Sequence, residues 1–125
     1  FAGDVDSLMF SAKSVSGLKV VTASRENMDA NDLRKLGDFL RDKDANTVAV
    51  LSTVNGEKVT LLAVCGKNAV AHGIKAGDII RSIAPIVGGK GGGKPDSAMG
   101  GGTDVLKVDD ALAAVDDFVA ANVKE

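Results

Sequence analysis

Apolar positions along the chain fall into blocks whose periods predict helix and strand in turn. Phe1, Val5, Leu8, Ala12 and Val15 are spaced four, three, four and three apart, an a/d seam of two heptads. Such a seam fits a single amphipathic N-terminal helix packed on its own domain, or the tail of a longer, dimerising helical region; Gly17 ends it either way. Leu18 to Ala23 is rich in β-branched residues and reads as a strand. Asp29 then has the character of an N-cap, with Asp32 in the first turn and Met28 placed to staple against Leu33. Leu33, Leu36, Gly37 and Leu40 follow at i, i+3, i+4 and i+7, which predicts a helix over about 30–42 with one face on the core. Its Arg34, Lys35, Arg41 and Lys43, set against Asp32, Asp38, Asp42 and Asp44, are the solvated face.

The second half changes period twice. Thr47 to Val54 is an almost continuous apolar run, as in a strand covered on both faces. Asn55-Gly56 is a strong signal for a type I′ hairpin, and Val59 to Cys65 is the returning strand. Ala76, Ile79, Ile80, Ile83 and Val87 form the stripe of a helix beginning near Lys75, with Pro85 tightening its last turn and Gly88-Gly89 ending it. After Thr103-Asp104, a long stripe from Val108 through Ala111, Leu112, Val115, Phe118 and Val119 to Val123 predicts a closing helix. The expected fold class is α/β: a mixed β-sheet with a β-hairpin and flanking helices, preceded by an N-terminal amphipathic helix. Residues 1–16 would be the end of a helical segment and 18–125 the globular domain.

Between the last two helices lies a stretch with no apolar period at all. From Gly88 to Gly102, eight of fifteen positions are glycine, out of 15 glycines in the whole chain. Two glycine triplets bracket Lys94, Pro95 and Asp96, and Lys90 sits between glycines. Glycine admits φ > 0 and close approach of the backbone. Bare N–H groups beside lysines suit a phosphate; the plainer alternative is a flexible loop carrying two solvated lysines. From Lys75 to Lys94 the charges are Lys75, Arg81, Lys90 and Lys94 against Asp78, a local balance of +3 in a chain of net charge −2.

Composition narrows the chemistry further. Four Phe with no Trp or Tyr leave the core to Val, Leu, Ile and Ala, and remove the aromatic platforms usual in single-strand binders. The net charge of −2 gives no global basic field, so nucleic-acid binding would rest on the local patch. Cys65 is alone, which excludes an internal disulfide and fits a reducing cytoplasm. His72 is the sole histidine and reads as a loop residue, without the partners a metal site requires. Asp109-Asp110 and Asp116-Asp117 are adjacent in sequence, so neither pair shares a helix face for acid–base work. No apolar run reaches membrane-spanning length and no signal peptide is visible. Because the chain starts at Phe1, it is expected to be part of something longer.

Lys75-Ala76-Gly77-Asp78, followed by the run from Gly88 through Asp96 to Ala98 and Gly100-Gly101, closely resembles the C-terminal domain of alanyl-tRNA synthetases. That domain belongs to the DHH-associated family, shared with certain phosphoesterases and freestanding alanyl-tRNA editing proteins. The resemblance covers most of the chain. Ser97 and Met99 depart from it, where the synthetases often carry Met and Gln. The resemblance implies a non-catalytic module that binds alanine-specific tRNA at the outer corner of the L and assists aminoacylation and editing. ATP, Mg²⁺ and Zn²⁺ would serve other domains, with no cofactor in this chain. It further implies RNA contacts among Lys75, Arg81, Gly88, Gly89, Lys90, Gly91, Gly92, Gly93, Lys94 and Asp96, in a cytoplasmic protein that forms a homodimer in many members. Two alternatives stand beside it: an oligomerisation module built on Phe1, Val5, Leu8, Ala12 and Val15, and the nucleic-acid-binding domain of a phosphoesterase or editing protein. Phosphoesterase relatives place His after the glycines, where this chain has Lys94.

Overall fold

The computed structural model describes residues 2–124. The elements are α1 (Ala2–Phe10), β1 (Lys13–Val15), β2 (Leu18–Glu26), α2 (Ala30–Lys43), β3 (Thr47–Asn55), β4 (Lys58–Cys65), α3 (Lys67–Ala71), α4 (Ala76–Ile83), β5 (Lys90–Gly93), β6 (Ser97–Gly102) and α5 (Val108–Asn122). Single 3₁₀ turns at Ala84–Val87 and Val105–Lys107 extend α4 and precede α5. The six strands form one mixed sheet in the order β1-β2-β3-β4-β6-β5. Only β2 and β3 are parallel among these pairs, and the crossover that parallel pairing requires is α2.

Helices cover both faces, giving three layers. On one face Val5 and Leu8 of α1 and Leu33, Leu36 and Leu40 of α2 pack on Val21, Ala49, Leu51, Leu62 and Val64. On the other, Ile79, Ile80 and Ile83 of α4 and Ala111, Val115 and Val119 of α5 pack on Val20, Val48, Val50, Leu61 and Ala63. The continuous apolar runs of β3 and β4 follow from this double burial. The expected cap of α2 is present: the Asp29 carboxylate accepts a hydrogen bond from the Asn31 amide at 2.7 Å. Gly37 belongs to the buried face because a Cβ there would lie 2.6 Å from Leu62 Cδ2.

The β3–β4 turn and the N-terminal segment differ from the sequence reading. The β3–β4 hairpin pairs Asn55 with Lys58, so its central residues are Gly56 and Glu57. Gly56 alone of these two has positive φ, at 62°, which is the type II′ pattern in place of the expected type I′. The type I′ signature occurs instead at Ser16-Gly17, with φ of 51° and 84° between the paired Val15 and Leu18. That turn folds Lys13–Val15 back onto β2 as a short strand, so the heptad spacing of Val5, Leu8, Ala12 and Val15 does not lie on one helix. Phe1 lies outside the described residues. Helix α1 ends at Phe10, where the Ser11 hydroxyl donates to the Leu8 carbonyl at 2.7 Å. Val5 and Leu8 are buried beneath α1 against its own domain, while Val15 packs on the opposite face of the sheet.

Helix α1 is held by these two apolar side chains and by ion pairs from Asp4 to Arg25 (2.6 Å) and Asp6 to Lys43 (3.5 Å). Partly exposed pairs of this kind contribute roughly 0–1 kcal/mol each, so the apolar contact dominates. Leu8→Lys should therefore detach α1 and leave the sheet intact. Hydrogen exchange is expected to show loss of amide protection in residues 5–10 with α2 still protected. Parent-like protection in α1 would show that its docking does not depend on Leu8.

Candidate nucleic-acid interface

The glycine stretch is two strands, β5 and β6, joined by a turn at Lys94-Pro95-Asp96. Helix α4 lies against this hairpin, and the two are interlocked at the helix start. The Ala76 amide donates to the Pro95 carbonyl at 2.8 Å and the Gly77 amide to the Lys94 carbonyl at 3.2 Å. On the other side the Cys65 amide donates to the Asp96 carbonyl at 3.1 Å. The first two amides of α4 are thus already hydrogen-bonded by the hairpin turn, and helix and turn position Lys75 and Lys94 at one end of β5. Lys90, paired with Gly101, stands at the other end, roughly 13 Å of strand away.

Most of the glycines are explained by packing. A Cβ on Gly77 would lie 2.6 Å from the Gly93 carbonyl oxygen, and one on Gly89 only 1.6 Å from that of Gly101. On Gly91 it would meet Gly100 Cα at 2.3 Å, and on Gly100 it would meet Ile80 Cγ2 at 2.7 Å. The conformational demand falls on Gly88, whose φ of 71° ends the 3₁₀ turn after α4, and on Gly93, whose φ is 156°. Gly92 differs from its neighbours: its φ is ordinary, and a Cβ there would come within 3 Å of a single atom, Arg81 Nη1, at 2.9 Å.

The basic side chains project from this scaffold. Lys75, Lys90 and Lys94 are exposed and make no ion pair among the described residues. Arg81 donates to the Asp78 carboxylate at 2.9 Å, and Asp96 lies 3.9 Å from Arg41 Nη1. Lys94 also borders an open groove of about 380 Å³, whose walls include Gly92, Gly93, Ser97, Met99 and, from α2, Arg34. The charge pattern of α2 marked Arg34 as one more solvated cation; the fold brings it beside the hairpin. Gly88 and Gly89 lie at the far end of the hairpin from the turn, next to Thr103-Asp104 and Gly101.

A model of the DHHA1 domain matches residues 17–121. The chain belongs to the DHHA1 domain family. Alanine–tRNA ligase of Clostridioides difficile (strain 630) is 41% identical over 96% of this chain and 14% of its own length. The enzyme of Methylobacillus flagellatus is 44% identical over 95% of this chain and 14% of its own length. The chain thus spans about one seventh of these relatives. The crystal structure of the C-Ala domain from Aquifex aeolicus alanyl-tRNA synthetase superposes with a TM-score of 0.81 at 23% identity, over 87% of this chain and 97% of that one. The shared fold therefore spans nearly the whole of that domain.

Within this DHHA1 domain, Cys65 is the residue whose chemistry the fold suppresses most. It closes β4 beneath a cavity of about 490 Å³ bordered by Arg41, Lys67, Val70 and Asp96. Burial, with a smaller contribution from the Asp96 charge, pushes its thiol up to about 12. At pH 8 only about one thiol in 10⁴ would be ionised, so a thiol-specific reagent should label the native domain very slowly and the denatured chain stoichiometrically. Fast stoichiometric labelling of the native domain would contradict this. Among the described residues no helix is long and apolar enough to cross a membrane.

Proposed function

We propose that this domain is the C-terminal tRNA-binding module of an alanine–tRNA ligase, gripping the outer corner of the tRNA where the D and T loops meet. The observation that carries the reading is a set of exposed cations with no ion pair among the described residues, Lys75, Lys90 and Lys94, along a hairpin of bare backbone in a chain of net charge −2. Such contacts fix position on the sugar–phosphate backbone and supply affinity with little sequence information. Selection of the alanine-specific tRNA then rests with other parts of the ligase. Aminoacylation with ATP and Mg²⁺, and editing of mischarged tRNA at a zinc site, belong to those parts as well, in the cytoplasm where tRNA is charged. This domain contributes by holding one tRNA within reach of both activities, and carries out no chemical step itself.

Titrating the isolated chain with a folded tRNA and with a duplex RNA lacking the outer corner tests the reading. Binding should favour the tRNA and weaken linearly in log–log form with added salt. Equal, salt-independent affinity for both RNAs, or none for either, would refute it.

A further inference from the structure

Arg81 is held differently from the three lysines around it. Its Nη2 donates to Asp78 Oδ1 at 2.9 Å, one turn back on α4. Its guanidinium lies over the backbone of Gly92 on the edge strand β5: a Cβ built on Gly92 would sit 2.9 Å from Nη1, 3.8 Å from Cγ and 3.9 Å from Cζ. Gly77 forms the second wall, where a Cβ would come within 3.1 Å of Nη2. The guanidinium is thus seated in a notch between two bare backbones and tied at one nitrogen, yet 58% of the side chain remains exposed. Its Nε and Nη1 donate no hydrogen bond among the described residues.

We infer that Arg81 is the oriented phosphate contact of this surface, and that Gly92 and Asp78 are positioning residues acting through it. The inference rests on the tRNA-binding reading above and deepens it. A planar guanidinium offers two parallel N–H groups matched to a phosphate's oxygens, whereas a lysine offers a mobile point charge. Ordering the fork before binding reduces the side-chain entropy given up on contact. The ligand chemistry is an RNA phosphodiester approached along the outer edge of β5, between Lys90 and Lys94. Gly92 carries no steric obligation to the fold. Its neighbour is the far end of one flexible side chain, so a methyl group there moves Arg81 and little else.

Asp78 supplies a test whose sign separates this arrangement from simple charge attraction. Asp78→Ala removes a negative charge beside the proposed phosphate, so charge alone predicts tighter tRNA binding. Release of Arg81 from its tether predicts weaker binding, by about two- to tenfold, because a free side chain must then be ordered on contact. Gly92→Ala and Arg81→Lys should each weaken binding by a similar factor while conserving net charge. In the Arg81→Lys background, adding Gly92→Ala or Asp78→Ala should cause no further weakening, because all three act on one guanidinium. A free-state readout accompanies binding: the Arg81 Nε–H resonance in ¹⁵N-edited spectra should become mobile in Gly92→Ala with melting unchanged. Tighter binding by Asp78→Ala overturns the inference, as do multiplicative losses for Gly92→Ala and Arg81→Lys. Parent-like affinity of Arg81→Lys, with Lys90→Ala/Lys94→Ala still impaired, overturns it and leaves tRNA binding standing. Failure of the parent to bind tRNA removes both.

Discussion

Gly89→Ala should lower the stability of this domain by about 3 kcal/mol or more, while Gly92→Ala three residues later in the same motif leaves it nearly unchanged. At Gly89 the added Cβ would sit 1.6 Å from the Gly101 carbonyl oxygen and 2.6 Å from Gly102 Cα, all backbone. No rotamer change relieves such an overlap. The β5–β6 hairpin would have to separate from the 3₁₀ turn at Ala84–Val87, whose carbonyls hold Gly89, Thr103 and Asp104 at 3.0–3.1 Å. For a domain of this size the destabilisation corresponds to a fall in Tm of about 10 °C. Gly77→Ala should behave alike, since its Cβ would lie 2.6 Å from the Gly93 carbonyl oxygen and wedge α4 off the hairpin. Gly92→Ala is the internal control, its neighbour being a movable arginine. Thermal melts of the three variants decide the matter. A Gly89→Ala protein melting with the parent would mean that the hairpin is not packed as described.

The contrast among these glycines shows where sequence reading reaches its limit. Elements whose side chains carry the burial pattern were legible. Leu33, Leu36 and Leu40 mark α2, the run Thr47–Val54 marks β3, and Val108 to Val119 marks α5. Pro85 and Gly88 likewise announced the tightened end of α4. Strands β5 and β6 gave no such signal, because glycine has low strand propensity and no side chain to alternate. They are strands through their pairing, β6 with β4 and β5 with β6, and Gly91 and Gly100 are bare where Ile80 of α4 comes close. Three-residue β1 and five-residue α3 are too short to display a period. The spacing of Val5, Leu8, Ala12 and Val15 misled in the opposite direction, since a turn at Ser16-Gly17 sends its last member to the other face of the sheet. For the candidate site, the motif picked out residues by resemblance, but bare backbone for packing and bare backbone for a ligand look the same in sequence. Arg34 joins the groove through the position of α2, which no local pattern encodes.

Removing the two exposed lysines of the hairpin should reduce the salt dependence of tRNA binding without disturbing the fold. Lys90 and Lys94 are exposed and form no ion pair among the described residues, so Lys90→Ala/Lys94→Ala should melt close to the parent. Deleting one lysine–phosphate interaction lowers the slope of log K against log salt by roughly 0.7–0.9, so the slope of the double variant should fall by about 1.4–1.8. Between about 50 and about 200 mM salt, the advantage of parent over variant should then shrink roughly 7- to 12-fold. The effect is largest at low salt, where released counterions contribute most, and it should extend to any folded tRNA because phosphates carry no sequence. Arg81→Ala in the same background should take away one more phosphate interaction and a further increment of slope. A double variant with the parent's slope would move the RNA-binding surface away from the hairpin. Arg34 at the groove, or Lys35 on α2, would be the next positions to test. Arg25, already paired with Asp4 at 2.6 Å, would follow them.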